Sequence, residues 1–227
     1  MSVRVFADAE AAASAAADHL AAEARLAIEA RGRFLLALSG GRTPASRFAA
    51  LAARPVSWQR VHLLQTDERL GAGGADLNFE AIREALVARV PIPASQVHAM
   101  PADEPDAAAA AECYGRTLAA VTGGTGILDL VHLGLGADGH TASLFPGDPA
   151  AADPSAVVAS AKHGGFIRLS LSLSTIARAR ARLWLVTGAG KRAALGRAVA
   201  GDRAVPAGRV PLAGSLVFLD RAAAEGL

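Results

Sequence analysis

A glycine-rich stretch past the middle of the chain, LGLGADGHTASLFPG, holds an acid and an imidazole two residues apart, Asp138 and His140. At neutral pH a histidine can take a proton from water, and a carboxylate beside it can fix its tautomer and stabilise its cation. The glycines let the backbone fold sharply and approach a ligand closely. The pattern predicts general-base chemistry from one loop. A backbone-bonded loop histidine is the alternative, and spacing leaves open whether Asp138 or Asp67 contacts His140.

Three further polar clusters follow predicted strands: SGGRTP (39–44), TDER (66–69) and TGAGK (187–191). In parallel α/β sheets, ligands bind at the carboxyl ends of the strands, so we expect all four clusters to converge on one site. SGGRTP opens a predicted helix, and its free N–H groups, approachable at its two glycines, are able to hold an anion; an ordinary capped turn is the alternative. Lys191 stands at a strand-to-helix turn, which suits a phosphate ligand as well as a solvated helix residue.

Motifs for other chemistries are incomplete. TGAGKR lacks the first glycine of a P-loop and has Arg192 where that motif needs Ser or Thr for magnesium. GLGADG matches a dinucleotide fingerprint in form, but no clear helix, next strand and terminal acid follow it. The six histidines are scattered without paired spacing or a cysteine partner, and no G-x-S-x-G occurs. We therefore expect no metal, no organic cofactor and no serine nucleophile.

Short apolar runs alternate with longer helical patterns along the chain. Strands are predicted at VRVFA, RFLLALSGG, RVHLLQTDER, QVHAM, ILDLVHLGLG, FIRLSLS, ARLWLVTG and GSLVFLD, with helices between most of them. ILDLVHLGLG is apolar throughout, which is typical of a parallel sheet covered on both faces. The alternation predicts an α/β fold, with a doubly wound, mostly parallel sheet and helices on both faces, and one domain over residues 1–227.

Composition argues against several kinds of partner. The 227 residues are 52% hydrophobic, and 23 Lys and Arg against 21 Asp and Glu give a formal charge of only +2. Nucleic-acid binding needs clustered cations, but in ARARARLW the residues Arg178, Arg180 and Arg182 are spaced by two, which predicts a solvated helix end that runs into a strand. The N-terminus does not match a signal peptide, and the chain lacks the apolar run of about 18 residues that a membrane span needs. We expect a cytoplasmic protein without nucleic-acid or membrane partners, in which Cys113 forms no intrachain disulfide.

The segments LALSGGRTP, TDERL, LGLGADGHTASLFPG, RLSLS and VTGAGKRAAL resemble, in this order, the motifs of the 6-phosphogluconolactonase family, in the glucosamine-6-phosphate isomerase/deaminase superfamily. The resemblance covers nearly the whole chain. It implies a deaminase/isomerase-like fold, a modified Rossmann-type three-layer sandwich. It also implies hydrolysis of 6-phospho-D-glucono-1,5-lactone to 6-phospho-D-gluconate in the oxidative pentose phosphate pathway, without an organic cofactor. The implied partner is this small phosphosugar lactone, and we expect a monomer or a small homo-oligomer.

The resemblance also implies roles for individual residues. His140 would be the general base that activates water. Asp138 and Asp67 would orient that histidine or the water, and Arg69 would bind substrate or steady the developing oxyanion. The substrate, and its phosphate above all, would contact Ser39, Gly40, Gly41, Arg42, Thr43, Asn78, Gly136, Arg168 and Lys191.

Two other functions stay open. Deaminases of the superfamily typically continue AFNEP after DGH, whereas this chain has ASLFP, so Phe145 stands where they place a glutamate. Phenylalanine cannot orient a base or move a proton, which disfavours amino-sugar phosphate deamination. A noncatalytic sugar-phosphate-binding module would keep the anion cradle without needing the base. The chain departs from the family's pattern at KHGGFI, where a proline-containing turn is common, at Leu77 before Asn78, and in a lengthened VPAGRVP.

Overall fold

The secondary structure comes from a computed structural model that describes residues 2–40 and 46–226. The strands are β1 (Ser2–Phe6), β2 (Phe34–Leu38), β3 (Val61–Gln65), β4 (Asp67–Arg69), β5 (Val97–His98), β6 (Leu130–Leu133), β7 (Val157–Ala159), β8 (Arg168–Leu171), β9 (Ala181–Val186) and β10 (Ser215–Asp220). The helices are α1 (Ala9–Arg31), α2 (Ser46–Ala52), α3 (Asn78–Ala85), α4 (Ala107–Thr122), α5 (Leu173–Arg178), α6 (Arg192–Val199), α7 (Pro206–Arg209) and α8 (Arg221–Ala224). Short 3₁₀ segments lie at Trp58–Arg60, Gly74–Asp76, Val87–Arg89, Ala94–Gln96, Pro149–Ala152 and Ala189–Lys191.

The strands that the structure describes form two sheets. The larger has seven parallel strands in the order β1-β10-β9-β6-β2-β3-β5, and the smaller has three antiparallel strands in the order β4-β8-β7. In the larger sheet, the chain moves outward from β2 through β3 to β5, and in the other direction from β6 through β9 to β10. The direction therefore changes between β2 and β6, where a doubly wound sheet leaves a crevice at its carboxyl edge. The predicted fold class is confirmed.

Alternate residues of the parallel strands face two separate apolar cores, because successive side chains of a strand point to opposite faces. In β2, Phe34, Leu36 and Leu38 pack with α1, α2 and α3, whereas Leu35 and Ala37 pack with α4, α6 and the smaller sheet. The larger sheet is thus the middle of three layers. The carboxyl edge of the larger sheet stays open between the two outer layers.

Helix α1 illustrates how local sequence sets these layers. Asp8 caps its start by accepting a hydrogen bond from Ala11 N at 2.8 Å, and Gly32 ends it with a φ of 74°. Its buried face is mostly alanine, which lets the helix approach the sheet closely. It lies between the first two predicted strands, where the sequence pattern indicates a helix.

The prediction of one strand over RVHLLQTDER is wrong. The chain leaves the larger sheet at Thr66. Its N–H donates a hydrogen bond to Leu38 O in that sheet, and its carbonyl accepts one from Leu171 N in the smaller sheet. Residues 67–69 then pair antiparallel with β8, so FIRLSLS also belongs to the smaller sheet. This change of sheet brings the TDER segment over the crevice.

The arginine run is the end of a helix that leads into a strand, as predicted, but the side chain of Arg182 is buried rather than solvated. Arg178 and Arg180 are exposed, but Arg182 is only 4% exposed in β9. Its guanidinium donates to Ala179 O at 2.8 Å, to Ala177 O at 2.9 Å and to Ala213 O. A buried guanidinium is tolerated when such carbonyls satisfy its donors.

Among the helices of residues 2–40 and 46–226, none combines the length and the apolar character that crossing a bilayer requires. Cys113 lies exposed on α4. The prediction of a single domain over residues 1–227 stays a prediction.

Candidate active site

An open cleft of about 430 Å³ lies at the carboxyl edge of the larger sheet. It is bordered by the segments that follow β2, β3, β6 and β9, as the sequence analysis predicts for its four polar clusters. The predicted site residues that line it are Ser39, Gly40, Asp67, Arg69, Asn78, Gly136, His140, Arg168 and Lys191. Asp138 contacts His140 from beside the cleft. The predicted anion-binding residues Gly41, Arg42 and Thr43 lie outside the described residues.

His140 and Asp138 form a side-chain pair in the loop after β6. The Asp138 Oδ1 atom lies 2.6 Å from His140 Nδ1 and also accepts a hydrogen bond from His140 N at 3.1 Å. Burial alone would raise the pKa of Asp138, but the hydrogen bonds and the charge of His140 outweigh it, and the pKa lies below its ordinary value. With Nδ1 held by a carboxylate, Nε2 is the ring nitrogen that can take a proton.

Asp67, the other acid that could have oriented His140, is engaged elsewhere. Its carboxylate accepts hydrogen bonds from Ser143 Oγ at 2.7 Å, from Thr66 Oγ1 at 2.8 Å and from Asn78 Nδ2 at 3.3 Å. It is buried, and it joins the start of the smaller sheet to the loop after His140. The geometry therefore assigns the contact with His140 to Asp138.

Gly136 packs directly against the His140–Asp138 pair. A Cβ at this position would overlap the His140 ring and lie 2.5 Å from Asp138 Oδ1. The backbone of Gly136 also donates a hydrogen bond to His140 O at 2.8 Å. The loop can close on itself in this way only because position 136 has no side chain.

Glu68 fixes the start of α3 beside the cleft. It is 1% exposed, and its carboxylate accepts hydrogen bonds at 2.8 Å from the backbone of Arg69, Asn78 and Phe79 and from Gln65 Nε2. Leu77, at the N-cap of α3, supplies no side-chain cap, so Glu68 satisfies the first N–H groups of this helix instead. The carboxylate ties the TDER segment to α3.

Arg69 and Asn78 face the cleft from this unit. Arg69 Nη1 donates to Asn78 Oδ1 at 2.9 Å and to Asp76 O at 2.8 Å, which fixes the guanidinium at the rim. Gly40 packs directly against Asn78, because a Cβ there would lie 2.9 Å from Asn78 Cα. The first residues after β2 are thus in contact with the first residue of α3.

Cations line the cleft. Arg69 and Lys191 form no ion pair with a carboxylate in the part of the chain that the structure describes. Arg168 donates from Nε and Nη2 to His163 O at 3.3 Å. The loop that carries Lys191 is held by Asp220, whose carboxylate accepts Gly188 N at 3.0 Å. This distribution of charge suits an anionic ligand.

No group of three or more His, Cys, Asp or Glu side chains suited to hold a metal ion occurs within residues 2–40 and 46–226. The side chains that line the described cleft include an imidazole, a carboxylate and cations. An imidazole paired with a carboxylate can activate water, and fixed cations can stabilise negative charge that develops on an oxygen.

Comparison with known proteins agrees with this geometry. A sequence model of the family described as glucosamine-6-phosphate isomerases/6-phosphogluconolactonase matches residues 7–218. The chain belongs to this family. The prediction of family membership, and of an enzyme of this family, is confirmed.

Individual members of the family cover most of the chain. A protein named 6-phosphogluconolactonase from Synechocystis is 37% identical over 210 residues, which are 88% of this chain and 88% of that one. The structure of 6-phosphogluconolactonase from Trypanosoma brucei superposes with a TM-score of 0.84 at 28% identity, covering 100% of this chain and 98% of the other. A monomeric glucosamine-6-phosphate deaminase, at 20% identity, has a TM-score of 0.86 over 99% of each chain and thus the same fold.

Sequence reasoning missed several residues that shape this family member's cleft. The sequence pattern predicts no role for Glu68, which lies inside TDER, or for Asp220, at the end of the last strand. It predicts none for Ser143, which donates a hydrogen bond to Asp67. In sequence Phe145 separates lactonases from deaminases, and in the structure its ring centroid lies 4.7 Å from that of His140. An acid next to a predicted site residue and an aromatic five residues after the histidine were the available signals.

Proposed function

We propose that the cleft hydrolyses 6-phospho-D-glucono-1,5-lactone to 6-phospho-D-gluconate by His140-activated attack of water, as a step of the oxidative pentose phosphate pathway. The observation that carries the proposal is the His140–Asp138 pair, with 2.6 Å between Nδ1 and Oδ1, at a cleft lined by Arg69, Arg168 and Lys191. The names of the relatives support the choice of substrate.

In the proposed reaction, His140 Nε2 takes a proton from water as the water oxygen attacks the lactone carbonyl carbon. Asp138 stabilises the imidazolium that forms, and Arg69 stabilises the oxyanion of the tetrahedral intermediate. When the intermediate collapses, the bond between the carbonyl carbon and the ring oxygen breaks, and the imidazolium returns a proton to that oxygen. A general base supplies roughly 10²- to 10⁴-fold in rate, and a fixed oxyanion donor roughly 10²- to 10³-fold.

The phosphate of the substrate is proposed to contact cations of the cleft. Lys191 and Arg168, which line the cleft, are proposed to supply this charge, and Ser39 and Gly40 are proposed to supply N–H donors. Gly41, Arg42 and Thr43 are proposed to continue this cradle. Asn78 and Gly136 are proposed to complete the site. Asn78 holds the Arg69 guanidinium, and Gly136 offers its backbone to the substrate.

Phe145 argues against deamination of an amino-sugar phosphate in the same cleft. Its ring lies against His140, in the place where the deaminases of the superfamily have a glutamate, and it offers no group that moves a proton. The binding-module alternative leaves the His140–Asp138 pair without a use.

The test follows loss of 6-phosphogluconolactone, generated in situ by a dehydrogenase, near pH 7, with the spontaneous rate subtracted. We expect wild-type enzyme to accelerate the loss and His140→Ala to lower kcat by about 10²-fold or more. His62→Ala, a histidine of β3 outside the cleft, serves as the matched control and keeps wild-type kcat. Loss at the spontaneous rate would refute the proposal. Ammonia release from glucosamine 6-phosphate would indicate a deaminase, and binding of 6-phosphogluconate without turnover a binding module.

A further inference from the structure

A second histidine–carboxylate pair, His163 and Asp148, stands behind the wall of the cleft. His163 Nε2 lies 3.0 Å from Asp148 Oδ2, and the Asp148 side chain is only 3% exposed. Asp148 also accepts Ala150 N and Ala161 N, each at 2.9 Å. Burial alone would raise the pKa of Asp148, but these hydrogen bonds outweigh it and the pKa lies below its ordinary value. Asp148 is thus a fixed carboxylate that anchors the His163 ring.

The His163 ring stacks on Phe145. The two ring centroids are 3.7 Å apart and the planes differ by 17°. Phe145 in turn contacts the His140 ring, with centroids 4.7 Å apart and planes inclined by 44°. The phenyl ring therefore lies between the imidazole of the proposed base and an imidazole that a buried carboxylate holds in place. Stacking of this kind favours one orientation of the phenyl ring.

The backbone of His163 contacts a different group of the cleft. His163 to Phe166 form a tight turn in which Gly164 and Gly165 have φ values of 62° and 89°, and His163 N donates to Phe166 O at 2.9 Å. Two successive positive φ values are what a two-residue hairpin turn requires, and glycine supplies them. The carbonyl of His163 accepts two hydrogen bonds from Arg168, donated from Nε and Nη2, each at 3.3 Å.

We propose that His163 is a positioning residue for two parts of the cleft: its ring holds Phe145 behind His140, and its anchored carbonyl holds the Arg168 guanidinium. The inference rests on the proposed function, in which His140 governs turnover and Arg168 governs binding of the phosphate. The two contacts leave His163 through different atoms. Because Arg168 Cζ also lies 5.8 Å from the Phe145 ring centroid, loss of the His163 ring affects kcat through His140 and KM through Arg168. Loss of the bond to Asp148 with a ring kept in place affects KM alone.

Two substitutions separate these effects. His163→Phe keeps an aromatic ring on Phe145 but removes the hydrogen bond to Asp148, so we expect KM for the lactone to rise about three- to tenfold with kcat within about twofold. His163→Gln keeps a donor toward Asp148 but removes the stacked ring, so we expect kcat to fall about two- to tenfold, with KM rising as well because Arg168 lies over Phe145. A residue needed only for folding would change the folded fraction and would not spare kcat in His163→Phe while lowering it in His163→Gln.

Nuclear magnetic resonance of the His140 ring gives a readout that needs no turnover, because Phe145 lies close enough to shift its signals. We expect His163→Gln to move the His140 ring resonances and His163→Phe to leave them near their wild-type positions. If wild-type enzyme proves inactive on the lactone, the proposed function fails, but this pattern of shifts would still support the positioning of Phe145. Unmoved His140 signals in His163→Gln, or kcat and KM changing together in both variants, would overturn the inference.

Discussion

Asp138 and His140 are held together by the short chain between them. Gly139 has a φ of 89°, and its N–H donates to Gly136 O at 3.0 Å, which turns the backbone enough for Asp138 Oδ1 to reach both the ring and the N–H of His140. The His140 side chain is 34% exposed and that of Asp138 is 52% exposed. The pair is therefore preorganised by local structure and still open to substrate and water.

The Asp138 carboxylate is the group that the proposed mechanism needs beside His140. We expect Asp138→Asn to lower kcat for the lactone by about 10²-fold or more while KM stays within about threefold of wild type, because an amide neither stabilises the imidazolium nor fixes the tautomer. Initial rates across a range of lactone concentrations, corrected for spontaneous hydrolysis, measure both constants.

Asp67→Asn is the matched comparison for this prediction. Its carboxylate contacts Ser143, Thr66 and Asn78 rather than His140, so we expect a smaller loss of kcat than in Asp138→Asn. If Asp67→Asn abolished turnover and Asp138→Asn retained most of it, the assignment of the orienting acid would be reversed.

The sequence allowed Asp138 to be named as one of two candidate partners of His140, because residues two apart in a glycine-rich loop lie close together along the chain. It did not decide between Asp138 and Asp67. That choice depends on where Ser143 and Asn78 approach Asp67, and Ser143 is 76 positions away along the chain. The stack of His163 on Phe145 and the use of Glu68 as a cap for α3 depend likewise on tertiary contacts that no local pattern encodes.

The loop after β6 carries two local constraints on its backbone. Ala142, which lines the cleft, has a φ of 48°, a conformation that residues other than glycine rarely adopt. Gly136 lies so close to the His140–Asp138 pair that no side chain fits. Such constraints persist only where surrounding structure holds them, and they are concentrated at functional sites.

Gly136→Ala tests how far the loop depends on this close approach. The added methyl group would overlap the His140 ring, so we expect kcat to fall by about 10²-fold as the base moves from its position, with the fold retained. Activity assays together with thermal unfolding separate displacement of the base from loss of structure.

Gly134→Ala is the control in the same loop, since a Cβ there would meet nothing within 4 Å and its φ is not positive. We expect a smaller loss of kcat than in Gly136→Ala. Equal losses in the two variants would indicate that any methyl group in this loop is harmful, and the argument from close approach would fail.

Most elements of the larger sheet could be predicted because buried parallel strands are continuous apolar runs. The end of β3 could not be placed, since RVHLLQTDER contains no glycine or proline to mark a break. The chain changes sheets at Thr66 because Leu38 and Leu171 offer backbone partners in two different sheets. The burial of Arg182 could not be predicted for a similar reason, because Ala213 O, one of the carbonyls that satisfy it, comes from a distant segment.

The proposed chemistry is confined to one edge of the larger sheet, and three histidines lie outside the cleft. His19 lies on α1, and His62 and His98 lie side by side on β3 and β5 with Nδ1 and Nε2 3.2 Å apart. Burial lowers the pKa of each below the ordinary 6.5; the charge of Arg33 adds to the effect at His62, and His62 adds to it at His98.

Expectations for the assembly state and for nucleic-acid partners stay predictions.

These lowered pKa values predict how stability depends on pH. Each histidine takes up a proton at higher pH in the unfolded chain than in the folded one, so its contribution is complete above its ordinary pKa of 6.5 and is lost as the pH falls through the folded pKa. We expect the free energy of unfolding, measured by urea titration, to decrease from about pH 7.5 to about pH 5, where carboxylates remain ionised. The double variant His62→Gln/His98→Gln lacks two of the three groups and should show a shallower decrease. A slope as steep as that of wild type would mean that these histidines do not cause it.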